Sequence, residues 1–325
     1  MFRCRQPTYL PTYLESITQL GLSFLLYAIF LILGLAIART SYLLALPFAI
    51  ATAAFLVRLF IIQHDCGHGS FFPSKKWNDT AGFFIGALTM TPYQCWRKFH
   101  AIHHAGSGNL DARGIGDVRT LTVREYYSLN WKNKFAYRFY RTPIVLFGLI
   151  PFMLFVFRQR LTYYLPKKWK KERVSVHWTN FCILLFLSMT IYAYDFATVI
   201  IFYGCIMAMA ASTGVWLFYV QHQFEGAYWE RHGNWSFQDA ALKGSSYYKL
   251  PQPLEWLTAS IGFHHIHHLN VGIPNYRLAE CFRRHSELSC TSTLTLRNSL
   301  KCLSLRLWDE DRRRMVGFEG LKEDG

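Results

Sequence analysis

Residues 43–68, LLALPFAIATAAFLVRLFIIQHDCGH, run from an apolar block straight into His64-Asp65-Cys66-Gly67-His68. The block 43–62 is about 20 residues long, enough helix at ~1.5 Å per residue to cross a ~30 Å hydrocarbon core. If the helix continues past the membrane, His64 and His68 stand at i and i+4 on one face, where they could hold one metal or reach two adjacent metals. A membrane span that ends in a pair of metal-ligating side chains sets the frame for the rest of the chain.

Three further blocks match it. Residues 17–38 and 43–62 form a tight hairpin, and 176–194 and 196–220 form a second one that turns at Tyr194-Asp195. Small residues in the last block (Gly204, Ala208, Ala210, Ala211 and Gly214) are expected to let helices approach closely. A cleaved signal peptide is the alternative for the first block, since Arg3 and Arg5 precede it and Ala36-Ile37-Ala38 resembles a cleavage site. The block is too long for that, and a second span follows at once. The apolar stretches 81–92 and 143–157 are too short to span comfortably. The latter lies between Arg138 and Arg141 on one side and Arg158 and Arg160 on the other, which suits a re-entrant or interfacial element.

The net charge of +15 could serve nucleic acid, anionic lipid or an acidic protein, and its placement decides. Residues 63–175 carry 18 Lys and Arg, whereas the two hairpin turns together carry only Arg39. This puts both termini and the segments 63–175 and 221–325 on the cytoplasmic side of a membrane, and it argues against nucleic-acid binding. The stretch 291–325 alternates Leu294, Leu296, Leu300, Leu303 and Trp308 with basic residues and reads as a helix lying on the surface. Eight cysteines without a CxxC pair give no disulfide framework and no thiolate zinc site. The expected fold is a single all-α integral-membrane domain over 1–325. It has four transmembrane helices in two hairpins, short interfacial or re-entrant helices, and a cytoplasmic helical cap carrying a di-metal site.

The histidines supply that site. His100-Ala-Ile-His103-His104 and His264-His265-Ile-His267-His268 each contain an HxxHH triplet, which on a helix presents three imidazoles toward nearly one direction. With His64 and His68 the clusters hold nine of the thirteen histidines, all on the predicted cytoplasmic side. An isolated pair near a membrane surface is ordinarily an interfacial feature, but three clusters together argue for metal. Imidazole suits iron, zinc or copper, and eight ligands are more than one ion uses, so two ions are the simpler count. His222, at the end of the fourth span, could add a ninth ligand. His265 is read as orienting a neighbouring ligand, while His177, His232 and His285 are isolated.

HDCGH, HAIHH and HHIHH, in this order around a hydrophobic hairpin, resemble the three histidine boxes of membrane fatty acid desaturases. The resemblance covers nearly the whole chain and is closest to bacterial and cyanobacterial acyl-lipid delta-12 (omega-6) desaturases. Pro92-Tyr93-Gln94-Cys95-Trp96-Arg97, Ser107-Gly108-Asn109-Leu110-Asp111, Gly116-Asp117-Val118, Gln221-His222-Gln223-Phe224-Glu225, Ile273-Pro274-Asn275-Tyr276 and Leu307-Trp308-Asp309-Glu310 share in it. It implies that His64, His68, His100, His103, His104, His222, His264, His267 and His268 ligate two iron ions, with dioxygen as co-substrate. Stearoyl-CoA desaturases have an asparagine four residues before the histidine matched by His222; this chain has Phe218 there, which speaks against the acyl-CoA subclass.

An unactivated methylene has no acidic proton and no electrophilic carbon, so the expected chemistry is oxidative. Asp65, Asp117 and Glu225 are candidate partners for imidazole N–H groups. The substrate implied by the resemblance is a membrane-lipid acyl chain. No HPGG haem signature, cysteine pattern for an iron–sulfur cluster or nucleotide fingerprint occurs, so electrons must come from a separate donor. An acidic ferredoxin suits the basic face, with cytochrome b5 as the alternative. Rival readings are a histidine-box hydroxylase or ketolase and, from another class, a metal transporter. The nearly uncharged spans and one-sided clusters argue against transport.

Overall fold

The computed structural model describes residues 9–321, so Arg3, Arg5, Cys4 and both chain ends lie outside the described residues. Four helices are long and apolar enough to cross a membrane: α1 (Tyr13–Ala38), α2 (Tyr42–His68), α7 (Lys170–Ala193) and α8 (Phe196–His222). Each expected block overlaps one of them, with shifted ends; 176–194 overruns its helix by one residue. α2 runs six residues beyond 62 and carries the first histidine pair on its final turns. It starts where Ser41 Oγ accepts the Leu44 N–H, and it stops at Gly69, whose φ of 75° reverses the chain.

α1 leaves Phe24, Leu25, Ile29 and Ile32 between 40% and 56% exposed, a surface that suits lipid. α2 is the central rod, with Leu59 and Ile62 fully buried between α1, α3 (Lys75–Leu88) and α8. Tyr27 and Tyr203 join α1 to α8 through a 2.6 Å hydroxyl pair. Of the small residues expected to let helices approach, Ala210 and Ala211 are buried, but the two glycines do not sit at a close contact. Gly204 and Gly214 have no neighbour near the Cβ position, whereas a Cβ on Gly34 of α1 would fall 2.2 Å from the Phe202 ring. The small residue that fits the α1–α8 contact is thus on the first span.

The stretch 81–92 belongs largely to α3, whereas 143–157 lies in a helical run α6 (Ile144–Arg160). That run bends by 61° from α5 (Trp131–Tyr140) and contains wide π turns. Such a bent pair forms either a broken span or a re-entrant loop, so the described residues hold four candidate spans, or five if the pair crosses.

Two expectations are corrected. The described chain is mostly helical but not all-α. Strands β1 (Leu121–Thr122), β4 (Leu307–Asp309) and β5 (Arg314–Val316) form one small sheet, and β2 (Tyr247–Lys249) and β3 (Thr293–Thr295) form another. Consequently 291–325 is not a surface helix over its described part. Leu307, Trp308 and Met315 are buried, and the segment folds back as strands onto a loop 186 positions upstream (Leu121 opposite Leu307). No disulfide joins any two of the seven described cysteines.

Helix α4 (Tyr93–Gly106) is locked to α2 by the Tyr93 hydroxyl, which donates to the Cys66 carbonyl at 2.7 Å between the two histidines of the first cluster. Gly82 of α3 makes room for that ring, since a Cβ there would lie 2.3 Å from it. Gly82→Val should therefore push Tyr93 away and cost about 1–3 kcal/mol through overpacking. The readout is the thermal midpoint of the detergent-solubilised chain, and an unchanged midpoint would remove Tyr93 from this role.

Candidate metal centre

Four helices deliver the histidines. α2 contributes His64 and His68, and α4 contributes His100, His103 and His104. α8 ends on His222, and α9 (His264–Leu269) carries the third cluster. The i, i+3 and i+4 offsets turn each set inward, where the four sets meet.

They resolve into two adjoining groups. One nitrogen from each of His64, His68, His100, His104 and His267 lies within 4.8 Å of all the others, and the same holds for His103, His222 and His268. His264 joins the second group, its Nε2 3.0 Å from that of His222 and 3.2 Å from that of His268. His104 and His268 stack across the boundary with ring centroids 4.1 Å apart. All nine sequence-predicted residues thus come together.

The nitrogens themselves are spaced for metal. His104 Nε2 lies 3.0 Å from His100 Nε2 and 3.2 Å from His267 Nε2. Two bonds of ~2.1 Å to one ion, about 90–100° apart, separate their nitrogens by about 3.0–3.2 Å. The Nε2 atoms of His64, His68 and His103 are buried without a hydrogen-bond partner, a costly state that a bound cation would relieve. Burial, reinforced by mutual repulsion, holds His100, His104, His264, His267 and His268 well below the usual histidine range. They are therefore neutral at pH 7, the form that binds metal. The residues fit a pair of metal ions.

The outer nitrogens are held too. His64 Nδ1–H donates to Asp65 at 3.0 Å and His103 Nδ1–H to Asp117 at 2.5 Å, leaving each Nε2 free to face inward. His222 Nδ1 faces the Gly244 carbonyl at 3.3 Å. Gly116, with φ of 77°, brings Asp117 into place; a Cβ there would press within 3.1 Å of His103 Cβ. Glu225, the third carboxylate expected in this role, instead faces Arg314 at 3.3 Å on the exposed surface. His265 also departs from expectation. It is fully buried and points away from the ligands toward Tyr247 and Phe282, with ring centroids 6.2 and 5.9 Å away. Burial there pushes its pKa down to about 4. Phe218 lies against His103 and His222, at 5.1 and 4.9 Å, and gives this side of the site an apolar wall.

Two residues of the site had no assigned role in the sequence reading. Asn275 donates through its backbone N–H (2.7 Å) and side-chain amide (2.9 Å) to Asp65, fixing the carboxylate that fixes His64. Trp96 stacks on His100 at 4.5 Å. Both lie in segments that carry the family resemblance, which was their only signal.

Comparison with known proteins agrees with this geometry. A model of the family described as fatty acid desaturase matches residues 40–297. A fatty acid desaturase of Bacillus subtilis (strain 168) is 45% identical over 284 residues, which cover 87% of this chain and 80% of that protein. Two proteins of Synechocystis sp. are more distant. The sn-1 acyl-lipid omega-3 desaturase (ferredoxin) is 29% identical, over 68% of this chain and 61% of its own length. The sn-1 oleoyl-lipid 12-desaturase is 27% identical, over 70% and 64%. For these two the matched region spans less than two thirds of the relative. On the family match and the 45% relative, the chain belongs to the fatty acid desaturase family and is an oxidoreductase of that kind.

Proposed function

We propose that this chain introduces a cis double bond into the acyl chain of a membrane lipid, at the delta-12 (omega-6) position, using two iron ions held by the nine histidines. The observation that carries this reading is the pair of adjoining imidazole groups, buried or half-buried and partly unpartnered, that four helices bring together. The acyl-lipid substrate rests on the resemblance and on the names of the two Synechocystis relatives. The delta-12 position rests on the resemblance and on one of them.

His64, His68, His100, His104 and His267 would hold one ion and His103, His222, His264 and His268 the other. When iron and dioxygen are bound there, they supply the oxidising power to take hydrogen from an unactivated methylene, which no acid, base or nucleophile of the chain can do. In balance, the acyl chain gives up two hydrogens, an external donor gives two electrons, two protons come from water, and dioxygen leaves as two waters. The chain's own part is positional. Asp65 and Asp117 set the imidazole tautomers, and Phe218 keeps an apolar wall beside His103 and His222. The apolar faces of the spans would receive the acyl chain. One membrane-embedded unit over 1–325 would do this with the ligands and both termini on the cytoplasmic side, as the 18 cationic residues of 63–175 support. A separate ferredoxin-type carrier would supply the electrons, as the name of one relative says of that protein.

Two measurements test this. Asp117→Asn keeps the shape but replaces the charged acceptor of His103 Nδ1–H by a neutral amide that can also donate to Nδ1, and should lower iron affinity about 10–100-fold, read as iron per chain after dialysis against a graded chelator. In a host lacking polyunsaturated lipids, expression should yield fatty acids two hydrogens lighter than their precursors, with the bond located by mass spectrometry of thiomethyl adducts. His103→Ala should yield none. Gain of an oxygen atom without loss of hydrogens would replace desaturation with hydroxylation, and a bond elsewhere would overturn the delta-12 position.

A further inference from the structure

Helix α4 has an outer side as well as the inner one that carries ligands. On that outer side Phe99, the residue before His100, meets Trp169 edge to face with ring centroids 5.3 Å apart. Trp169 stands at the head of α7, half-buried, in a ring of exposed lysines: Lys98, Lys167, Lys168, Lys170 and Lys171. Lys98 lies over the Trp169 ring at 5.8 Å. Among the described residues none of these five ammonium groups forms an ion pair.

The loop bearing the patch is fixed in place. Arg173 Nη1 donates to the carbonyls of Thr162 (2.7 Å) and Leu165 (3.3 Å), and Trp169 N–H closes a turn onto the Pro166 carbonyl at 2.9 Å. Cys95, Leu165 and Val176 form a small buried cluster beneath it, with Phe99 and Trp169 packed against them. A rigid surface needs little ordering when it binds.

Its height favours a protein over lipid headgroups. On α7 the first strongly exposed aromatic residues are Trp178 (57%) and Phe181 (55%), the kind of pair that marks a membrane boundary. Lys171 precedes Trp178 by seven residues, about 10 Å of helix, on the aqueous side of that boundary. At an intermediate level Ser175 Oγ accepts the Gln94 N–H at 3.2 Å, which ties this end of α7 to the ligand-bearing helix.

We propose that this lysine ring is the docking surface for the external electron carrier, an acidic iron–sulfur protein, and that Trp169 and Phe99 form the packed route from its cluster to His100. The inference rests on the desaturase reading and adds the site at which electrons arrive. Each docking moves one electron: the carrier's cluster is oxidised by one and the histidine-held centre is reduced by one, so two dockings serve each double bond. Long-range attraction between an acidic carrier and the five lysines speeds encounter and orients it.

The test uses the full-length, iron-loaded chain in phosphatidylcholine nanodiscs and a reduced [2Fe–2S] ferredoxin of net negative charge as probe. Wild-type binding should weaken as salt rises, and K167E/K168E should bind about tenfold less tightly at low salt. W169A should keep its affinity within about twofold, yet oxidise bound ferredoxin at least about tenfold more slowly in stopped flow, with W169F restoring most of the rate. Wild-type affinity in K167E/K168E, or a wild-type rate in W169A, overturns the proposal. So does a loss of binding by K167E/K168E to phosphatidylglycerol vesicles alone, which would make the patch a lipid contact. If the wild-type chain with dithionite and oxygen forms no double bond, the desaturase reading fails and takes this one with it.

Discussion

Everything else in the molecule is arranged around one expensive feature, nine imidazoles packed side by side with six of them buried. Each brings polar nitrogens out of water, and those of His64, His68 and His103 find no partner on their inner side. An unsatisfied buried polar group costs roughly 1–3 kcal/mol, so the cluster opposes folding of the metal-free chain by several such increments. Such a cluster persists only where the surrounding structure over-determines it. The spans provide that: their helical hydrogen bonds are satisfied internally, and their apolar faces pack for reasons unrelated to the metal.

The orientation of the imidazoles depends on a sparser set of contacts. Asp65 is adjacent to His64 in sequence but is itself held by Asn275, 210 positions away, so the first box is set by the segment after the third. Asp117 reaches His103 because Gly116 adopts a backbone conformation that a side chain would resist, in a loop whose next strand is paired with the C-terminal segment. That strand pairing extends to Trp308, so a stretch that carries no ligand still bears on the position of a carboxylate partner. Arg141 draws these parts together. It is 2% exposed and donates to the carbonyls of Arg119 and Leu305 and to the Tyr219 hydroxyl, three positions before His222.

What could be read in the sequence follows from the range over which each signal acts. The spans and the histidine triplets are periodic within one helix, and period 3.6 accounts for the eight box residues that gather on one side, while His222 was signalled by its place at the end of the fourth span and by the resemblance. The same period accounts for His265, which is turned about 100° from His264 and so faces Phe282 and not the ligands. Glu225 is close to His222 in sequence, yet it lies beyond the end of α8, where nothing fixes its direction. The C-terminal strands could not be read because Leu307 pairs 186 positions upstream and Thr293 with Tyr247, and alternation over three residues resembles one side of a helix. The contact at Gly34 was missed for a similar reason: a small residue marks a close approach only once its neighbour is known.

The helix of the second box shows how little sequence is needed to join a buried centre to the outside. In α4 the residues at 96, 100, 103 and 104 turn toward the ligands, while 95 and 99 turn toward the cluster under the lysine loop, a consequence of the 100° step between successive residues. His100 and Phe99 are therefore covalent neighbours that face different surroundings, one among imidazoles and one against Trp169. A loop attached at Phe99 is mechanically attached to His100 next to it. The rigidity that orients the imidazoles extends outward to the surface without a separate structural element, because both belong to the same turn of helix.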